Sequence, residues 1–266
     1  MKKLFLTSRL SGTKELLAQF LAPIKAQSVL FIPTASLTQK NTSYVDRAKE
    51  IFQSLGVDII DFDISTLNRE EAIRALAQCQ VLYVSGGNSF YLLQELKRLD
   101  LIPVIQKRVE EGMVYIGESA GAIVTAPAIT YIEAMDDKEK GGVLKDYSAL
   151  DLVDFYTLPH YQEAPFAEAA DTIMAAYKEK LSLMPINNKE AIVVCNGKVE
   201  KRTEAEETQE EKESNTLAMG IALGSCFGTS IGIIFGELMD NIFLGLSLGP
   251  GIGMCIGMMI ANLSRK

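Results

Sequence analysis

The chain has 266 residues, a formal net charge of -8 and a slightly positive mean hydropathy. That length accommodates one α/β domain of about 200 residues plus an appendage. The acidic balance, with no basic stripe to offset it, excludes binding to a phosphate backbone, so no nucleic-acid partner is expected. Cys79, Cys195, Cys226 and Cys255 are far apart with no C-x-x-C pair, which supports neither a metal site nor a disulfide framework.

Met1 to Thr7 superficially resembles a signal peptide. Its apolar run is too short, however, and Ser8-Arg9 interrupts it, so Leu4-Phe5-Leu6 reads as a first core strand of a domain that stays in the cytoplasm. A helical stretch around Lys14 to Leu21 separates this strand from a second at Ser28 to Ile32. Tyr44 to Leu55 has helical spacing and stops at Gly56. Val57 to Phe62 is the next strand. Asn68 to Ala77 is a helix with Asn68 as N-cap and Glu71 three residues later, a capping box. Val81 to Val84 is a strand, followed by the tight Ser85-Gly86-Gly87-Asn88 turn and a helix through Leu96. Gly112 to Ile116 is a buried strand, and a small apolar helix is expected from Ala120 to Ala126, ended by Pro127. Phe155 to Leu158 leads into Pro159-His160-Tyr161, placing the histidine at a strand end. Ala191 to Val194 and Lys198 to Glu200 form a hairpin around Asn196-Gly197. This alternation predicts a mostly parallel sheet flanked by helices, whose ligands bind beyond the carboxyl ends of the strands.

Between strand and helix, Gly117-Glu118-Ser119-Ala120-Gly121 fits the G-x-S-x-G nucleophile elbow, with the strand-turn-helix context that chance matches lack. Glycine supplies the close backbone approach that such a turn needs. A serine hydroxyl requires an adjacent base, and His160 is the one histidine in the chain. The Ala120 N–H, directly after the nucleophile, and the Gly87 N–H are the expected oxyanion donors. Asn88 is expected to cap the following helix and to contact substrate at the same helix end. An orienting acid is sought between the elbow and the histidine, where Glu133, Asp136 and Asp137 are all available. Glu118 flanks the nucleophile and is expected to serve local structure.

Ser85-Gly86-Gly87-Asn88-Ser89-Phe90, Gly117-Glu118-Ser119-Ala120-Gly121-Ala122 and Leu158-Pro159-His160-Tyr161 resemble, in order and spacing, the serine peptidases related to dipeptidase E (α-aspartyl dipeptidase). More distantly they resemble cyanophycinase. The resemblance covers residues 1 to 202. It implies a fold like class I glutamine amidotransferases, with serine in place of cysteine. It also implies Ser119 as nucleophile, His160 as base, Gly87 and Ala120 as oxyanion donors, and Asp136, after a one-residue shift, as the acid. Hydrolysis of short peptides through acyl-serine chemistry needs no metal or cofactor. The alternative is a catalytically silent, peptidase-like ligand-binding or scaffold protein assembled in the membrane.

Residues 203 to 215 are dense in glutamate and read as an acidic linker or exposed helical stalk. Two segments within 216 to 263, Leu217 to Gly236 and Ile242 to Leu263, are each about 20 residues without a charged side chain, long enough to cross a bilayer. Glycines recur every fourth residue, at Gly220, Gly224, Gly228, Gly232 and Gly236, then at Gly245, Gly249, Gly253 and Gly257. This puts them on one helical stripe that drifts about 40° per step. Such stripes pack helix backbones closely in lipid, within one hairpin or between copies as a homo-oligomer. Lys212 before the first segment, and Arg265 and Lys266 after the second, favour both ends in the cytoplasm, with the acidic turn 237–241 outside. The expected partners are therefore a short peptide and membrane lipid.

Overall fold

The computed structural model describes residues 2–142, 144–205, 209–239 and 241–263. It divides into two units, residues 1–204 and 205–266.

The first unit runs β1 (Lys3–Thr7), α1 (Lys14–Leu21), β2 (Ser28–Ile32), α2 (Ser43–Ser54), β3 (Asp58–Asp61), α3 (Arg69–Gln78) and β4 (Val81–Val84). It continues through α4 (Ser89–Arg98), α5 (Ile102–Glu110), β5 (Val114–Glu118), α6 (Ala120–Ile123), β6 (Tyr156–Leu158), α7 (Ala167–Tyr177), β7 (Leu183–Pro185), β8 (Glu190–Cys195) and β9 (Lys198–Thr203). Seven strands form one sheet in the order β3-β2-β4-β5-β1-β8-β9. The first five are mutually parallel, and β8 and β9 add an antiparallel edge.

Side-chain alternation explains the three layers. In β1, Leu4 and Leu6 point into one core with Leu30, Ile32, Leu82 and Tyr115, while Phe5 points into the other with Phe31, Tyr83 and Ile116. The first core is covered by α3, α4 and α5 through residues such as Leu76, Leu93 and Ile105, and the second by Leu17 and Phe20 of α1 and Phe52 of α2. Strands buried on both faces are apolar throughout, as β4 is. The capping box at α3 is present, with Glu71 N donating to Asn68 Oδ1 at 3.0 Å and Asn68 N donating to Glu71 Oε2 at 3.1 Å.

Two local expectations are corrected. α6 stops at Ile123 rather than reaching Ala126, because the Val124 and Thr125 carbonyls turn aside to accept from Leu150 N and Leu152 N, both at 2.8 Å. β6 does not join the main sheet but pairs with β7 in a separate two-stranded ribbon. Of residues 203–215, expected as a linker or an exposed helical stalk, Thr203 closes β9 and the part from Gln209 onward is helical.

The second unit is a helical pair, α8 (Gln209–Leu238) and α9 (Ile242–Leu263). The glycine stripes face each other. A Cβ on Gly224 would sit 2.2 Å from the Gly253 carbonyl oxygen, on Gly228 2.1 Å from that of Gly249, and on Gly232 2.3 Å from that of Gly245. Side chains are thus excluded along the seam, while Phe227, Ile231, Phe243 and Ile256 point outward and are exposed. By length and composition one helix is apolar enough to cross a membrane, Leu217–Leu238, with 22 residues. The second helix holds the apolar stretch Gly245–Ile260 among the described residues. Asp240, Arg265 and Lys266, which carried part of the orientation reading, lie outside the described residues.

Candidate active site

Adjacent strands β4, β5 and β1 bring three loops to one end of the sheet. At the end of β5, Ser119 takes φ 48° and ψ -104°, a conformation that a residue with a Cβ rarely adopts. Its N–H donates to Thr7 O at 2.8 Å, fixing the bend to the end of β1. The surrounding glycines allow no substitute. A Cβ on Gly117 would lie 2.5 Å from Gly121 O, and one on Gly121 would lie 2.1 Å from Val84 O. Tyr115 Oη donates to Gly121 O at 2.7 Å and holds α6 down on the strand.

His160 follows β6 with φ 57°. Its N–H donates to Ser8 Oγ at 3.0 Å, and that hydroxyl donates to Ile186 O at 2.9 Å, so the residue after β1 fixes the backbone of the histidine. The imidazole Nε2 is 3.0 Å from Ser119 Oγ, and Nδ1 is 2.8 Å from Asn188 Oδ1. An amide oxygen only accepts, so Nδ1 carries the proton and Nε2 is left to accept from the serine. Phe166 stacks on the ring at a centroid distance of 4.8 Å. Burial lowers the imidazole pKa below its ordinary value. The hydrogen bond to Asn188 opposes this, Arg9 lowers it further, and Glu163 raises it. The base is therefore neutral, and ready to take a proton, at physiological pH.

The acid expected between elbow and histidine is not brought to His160. Asp136 is buried at the start of α4, where Oδ2 accepts from Ser89 N at 2.8 Å and Ser89 Oγ at 2.6 Å. A helix N-terminus satisfies a carboxylate well, which accounts for that placement. Glu133 pairs with Lys138 at 3.3 Å, and Asp137 caps the next turn by accepting from Glu139 N. The partner of the imidazole is Asn188, with Glu163 behind it: Asn188 N donates to Glu163 Oε1 at 3.4 Å. Asn88 caps α4 through Tyr91 N at 2.9 Å and donates to Asp137 O at 2.9 Å. The residue is 1% exposed and both ends of its amide are engaged in supporting the turn.

Gly86 and Gly87 abut the nucleophile, and a Cβ on Gly86 would lie 3.3 Å from Ser119 Cβ. Gly87 has φ +136°, and a Cβ there would strike Ala35 O at 2.1 Å. Ala120 N–H, at the first position of α6, has no intrahelical acceptor. Glu118 is wholly buried. Its carboxylate accepts from Leu10 N at 2.8 Å and from Tyr83 Oη, and burial raises its pKa. It ties β5 to the turn after β1, the local structural role expected for it.

The model for peptidase family S51 matches residues 4–202. This chain belongs to peptidase family S51. An uncharacterized peptidase of Pasteurella multocida is 45% identical over 196 residues, covering 74% of this chain and 95% of the relative. Peptidase E of Salmonella paratyphi C is 32% identical over 161 residues, 60% of this chain and 66% of that protein. The crystal structure of a Listeria monocytogenes EGD-e protein provisionally assigned to peptidase E superposes with a TM-score of 0.74 at 41% identity, over 77% of this chain and 100% of that one. Residues 210–262 separately match a glycine-zipper membrane protein domain.

Within this S51 chain, several residues around the serine gave no signal in the sequence. Tyr44 reaches over from α2, its Oη 3.4 Å from Gly86 O, and its pKa is pushed up to about 12 by burial, aided by the Glu118 and Asp136 carboxylates. Arg9 follows Thr7 and Ser8, which hold the Ser119 and His160 backbones, and its charge acts on both His160 and Glu118. Among the described residues its exposed guanidinium has neither hydrogen bond nor ion pair. Asn188 belongs to no motif in the sequence, and no spacing rule connects it to a histidine 28 positions away.

Proposed function

We propose that the first unit is a serine-type peptidase that hydrolyses short peptides by covalent catalysis at Ser119. The observation that carries this is the 3.0 Å separation of His160 Nε2 and Ser119 Oγ at a strained elbow. In the first half-reaction Oγ attacks the scissile carbonyl as its proton passes to Nε2. The tetrahedral oxyanion is received by the N–H groups of Ala120 and Gly87. The C–N bond then breaks, the amine leaves with the proton from Nε2, and Ser119 is left as an ester. In the second half, water gives its proton to Nε2 and attacks the ester, and Ser119 regains its proton as the acid product departs. Asn188 holds the imidazole in the productive tautomer without adding a charge. The exposed Arg9 guanidinium, unpaired among the described residues, favours peptides that present a carboxylate, in keeping with dipeptidase-like action.

The glycine-zipper pair is the proposed tether to membrane lipid, with the peptidase on the cytoplasmic side, supported by Lys212, Arg265 and Lys266 at the flanks. A fluorophosphonate probe tests the chemistry. The folded protein is expected to form an adduct that Ser119→Ala and His160→Ala abolish, and no adduct on the parent protein would sink the catalytic reading. Carbonate extraction of membranes tests the tether, where release of the full chain into the supernatant would count against it.

A further inference from the structure

Glu204 is the last residue of the first unit, and both its carboxylate oxygens and its backbone N–H are engaged. Its carboxylate accepts from Glu15 N at 2.7 Å and from Leu16 N at 3.0 Å, in the first turn of α1. That helix has no side-chain cap of its own, since Thr13 makes no capping hydrogen bond, so Glu204 supplies the missing acceptor and suits the positive end of the helix. The backbone N–H of the same residue donates to Lys189 O at 2.7 Å. Lys189 is next to Asn188, whose amide oxygen holds His160 Nδ1. The two grips are on neighbouring bodies, because Gly12, just before α1, packs so closely on Asn188 that a Cβ there would lie 1.9 Å from the Asn188 carbonyl oxygen.

We propose that Glu204 is a positioning residue for His160, clamping the start of α1 to the 187–190 turn so that Asn188 keeps the imidazole aimed at Ser119. This rests on the serine-peptidase reading for its catalytic consequence, though not for its structural one. Other bonds also hold the turn, Asn187 N to Glu190 Oε2 at 2.9 Å and Lys189 N to Asn187 Oδ1 at 2.8 Å. Loss of the clamp is therefore expected to misplace the base and leave the turn folded. Because the chain passes from Glu204 toward the apolar helices, the residue that anchors the base is also where the second unit is attached.

His160 is the one histidine of the chain, so its ring resonances are unambiguous. The experiment compares full-length parent protein, Glu204→Ala, Glu204→Gln and the surface control Glu200→Gln, all in detergent. At one pH, ¹⁵N and ¹H shifts of His160 report its tautomer and the Nδ1 hydrogen bond. Rates of fluorophosphonate labelling and of peptide hydrolysis are measured on the same samples. Glu204→Ala is expected to move the His160 resonances towards mixed tautomers and to cut kcat roughly 10-fold to 100-fold with little change in KM, the cost expected for a misplaced catalytic group. Glu204→Gln, which keeps one acceptor oxygen, is expected to fall between, and Glu200→Gln to match the parent. Parent-like His160 resonances in folded Glu204→Ala overturn the proposal whatever the activity. If that variant fails to fold, parent-like resonances in Glu204→Gln overturn it instead. A parent protein that neither labels nor turns over would defeat the peptidase reading alone, and the resonance comparison would still decide the clamp.

Discussion

Replacing Ser119 by glycine and by alanine separates backbone strain from every other role of the serine. Both changes remove Oγ and its hydrogen bond to His160, so that loss cancels between them. Alanine keeps the Cβ and the cost of holding φ 48° and ψ -104°, whereas glycine adopts this mirror image of an extended conformation freely. A sparsely populated backbone conformation costs about 1–3 kcal/mol. Glycine concedes about 0.5–1 kcal/mol in unfolded-state entropy. At the middle of both ranges the difference leaves Ser119→Gly more stable than Ser119→Ala by about 1 kcal/mol, the reverse of the order at an ordinary position. For a domain of this size that is about 2–4 °C in unfolding temperature. All nine tyrosines lie in the first unit and the chain has no tryptophan, so tyrosine fluorescence in urea or on heating follows that unit alone. An alanine variant as stable as the glycine variant, or more so, would refute the claim that strain is stored at the elbow.

Because burial lowers the His160 pKa, kcat/KM should climb with pH through an apparent pKa below the ordinary value of about 6.5 and be level by neutrality. Over the same window the unfolded chain binds more protons than the folded one, so stability also rises with pH; an activity limb above the ordinary value would contradict this. Asn188→Asp places a carboxylate against Nδ1 and should shift that limb upward, with the direction read from the pH–rate profile. Arg9→Ala should raise KM for carboxylate-bearing peptides by about 10-fold or more, the worth of a charged hydrogen bond, and leave amidated peptides little changed. In the second unit, Gly228→Leu should separate the helices because its Cβ meets Gly249 O at 2.1 Å, whereas Gly251→Leu, which meets nothing within 4 Å, should not. Spin labels on Cys226 and Cys255, with Cys79 and Cys195 replaced by alanine, would report the difference as a broadened distance distribution for the first variant alone.

What could be read from the sequence was what short-range sterics and local hydrogen bonds dictate. The elbow announced itself because Gly117 approaches the Gly121 backbone across Ser119, and the α3 capping box because Asn68 and Glu71 are one turn apart. The Asn196-Gly197 hairpin followed from the same kind of local rule. α5 and α7 passed unread. α7 is alanine-rich and buries only Ala170 and Ile173, so it presents no strong apolar period, whereas α5 does space Ile102, Ile105 and Val109 on one face, behind a proline in its first turn. The partner of His160 was beyond reach for another reason. Asp136 was sought because it lies between elbow and histidine in the chain, yet a carboxylate gains more at the start of α4, where two Ser89 donors meet it. Asn188 arrives at the imidazole only when β7 and β8 bring the 187–190 turn beneath it, a long-range event with no local mark.

The place of β1 in the sheet has a consequence in time. β1 pairs in parallel with Val114–Glu118 and antiparallel with Glu190–Cys195, both made after it, so it waits for most of the unit before its hydrogen bonds are complete. Such distant pairings are slow to close, because loop entropy is lost before contacts repay it. Thr7 and Ser8, which steady the serine and the histidine, are therefore in place only when β8 has emerged. The next segments to follow are β9 and then the apolar helices. Closure of the active site and emergence of α8 and α9 are thus nearly simultaneous events in synthesis. A delay in the first would leave unpaired strand edges exposed beside a strongly apolar segment, the combination most prone to aggregation.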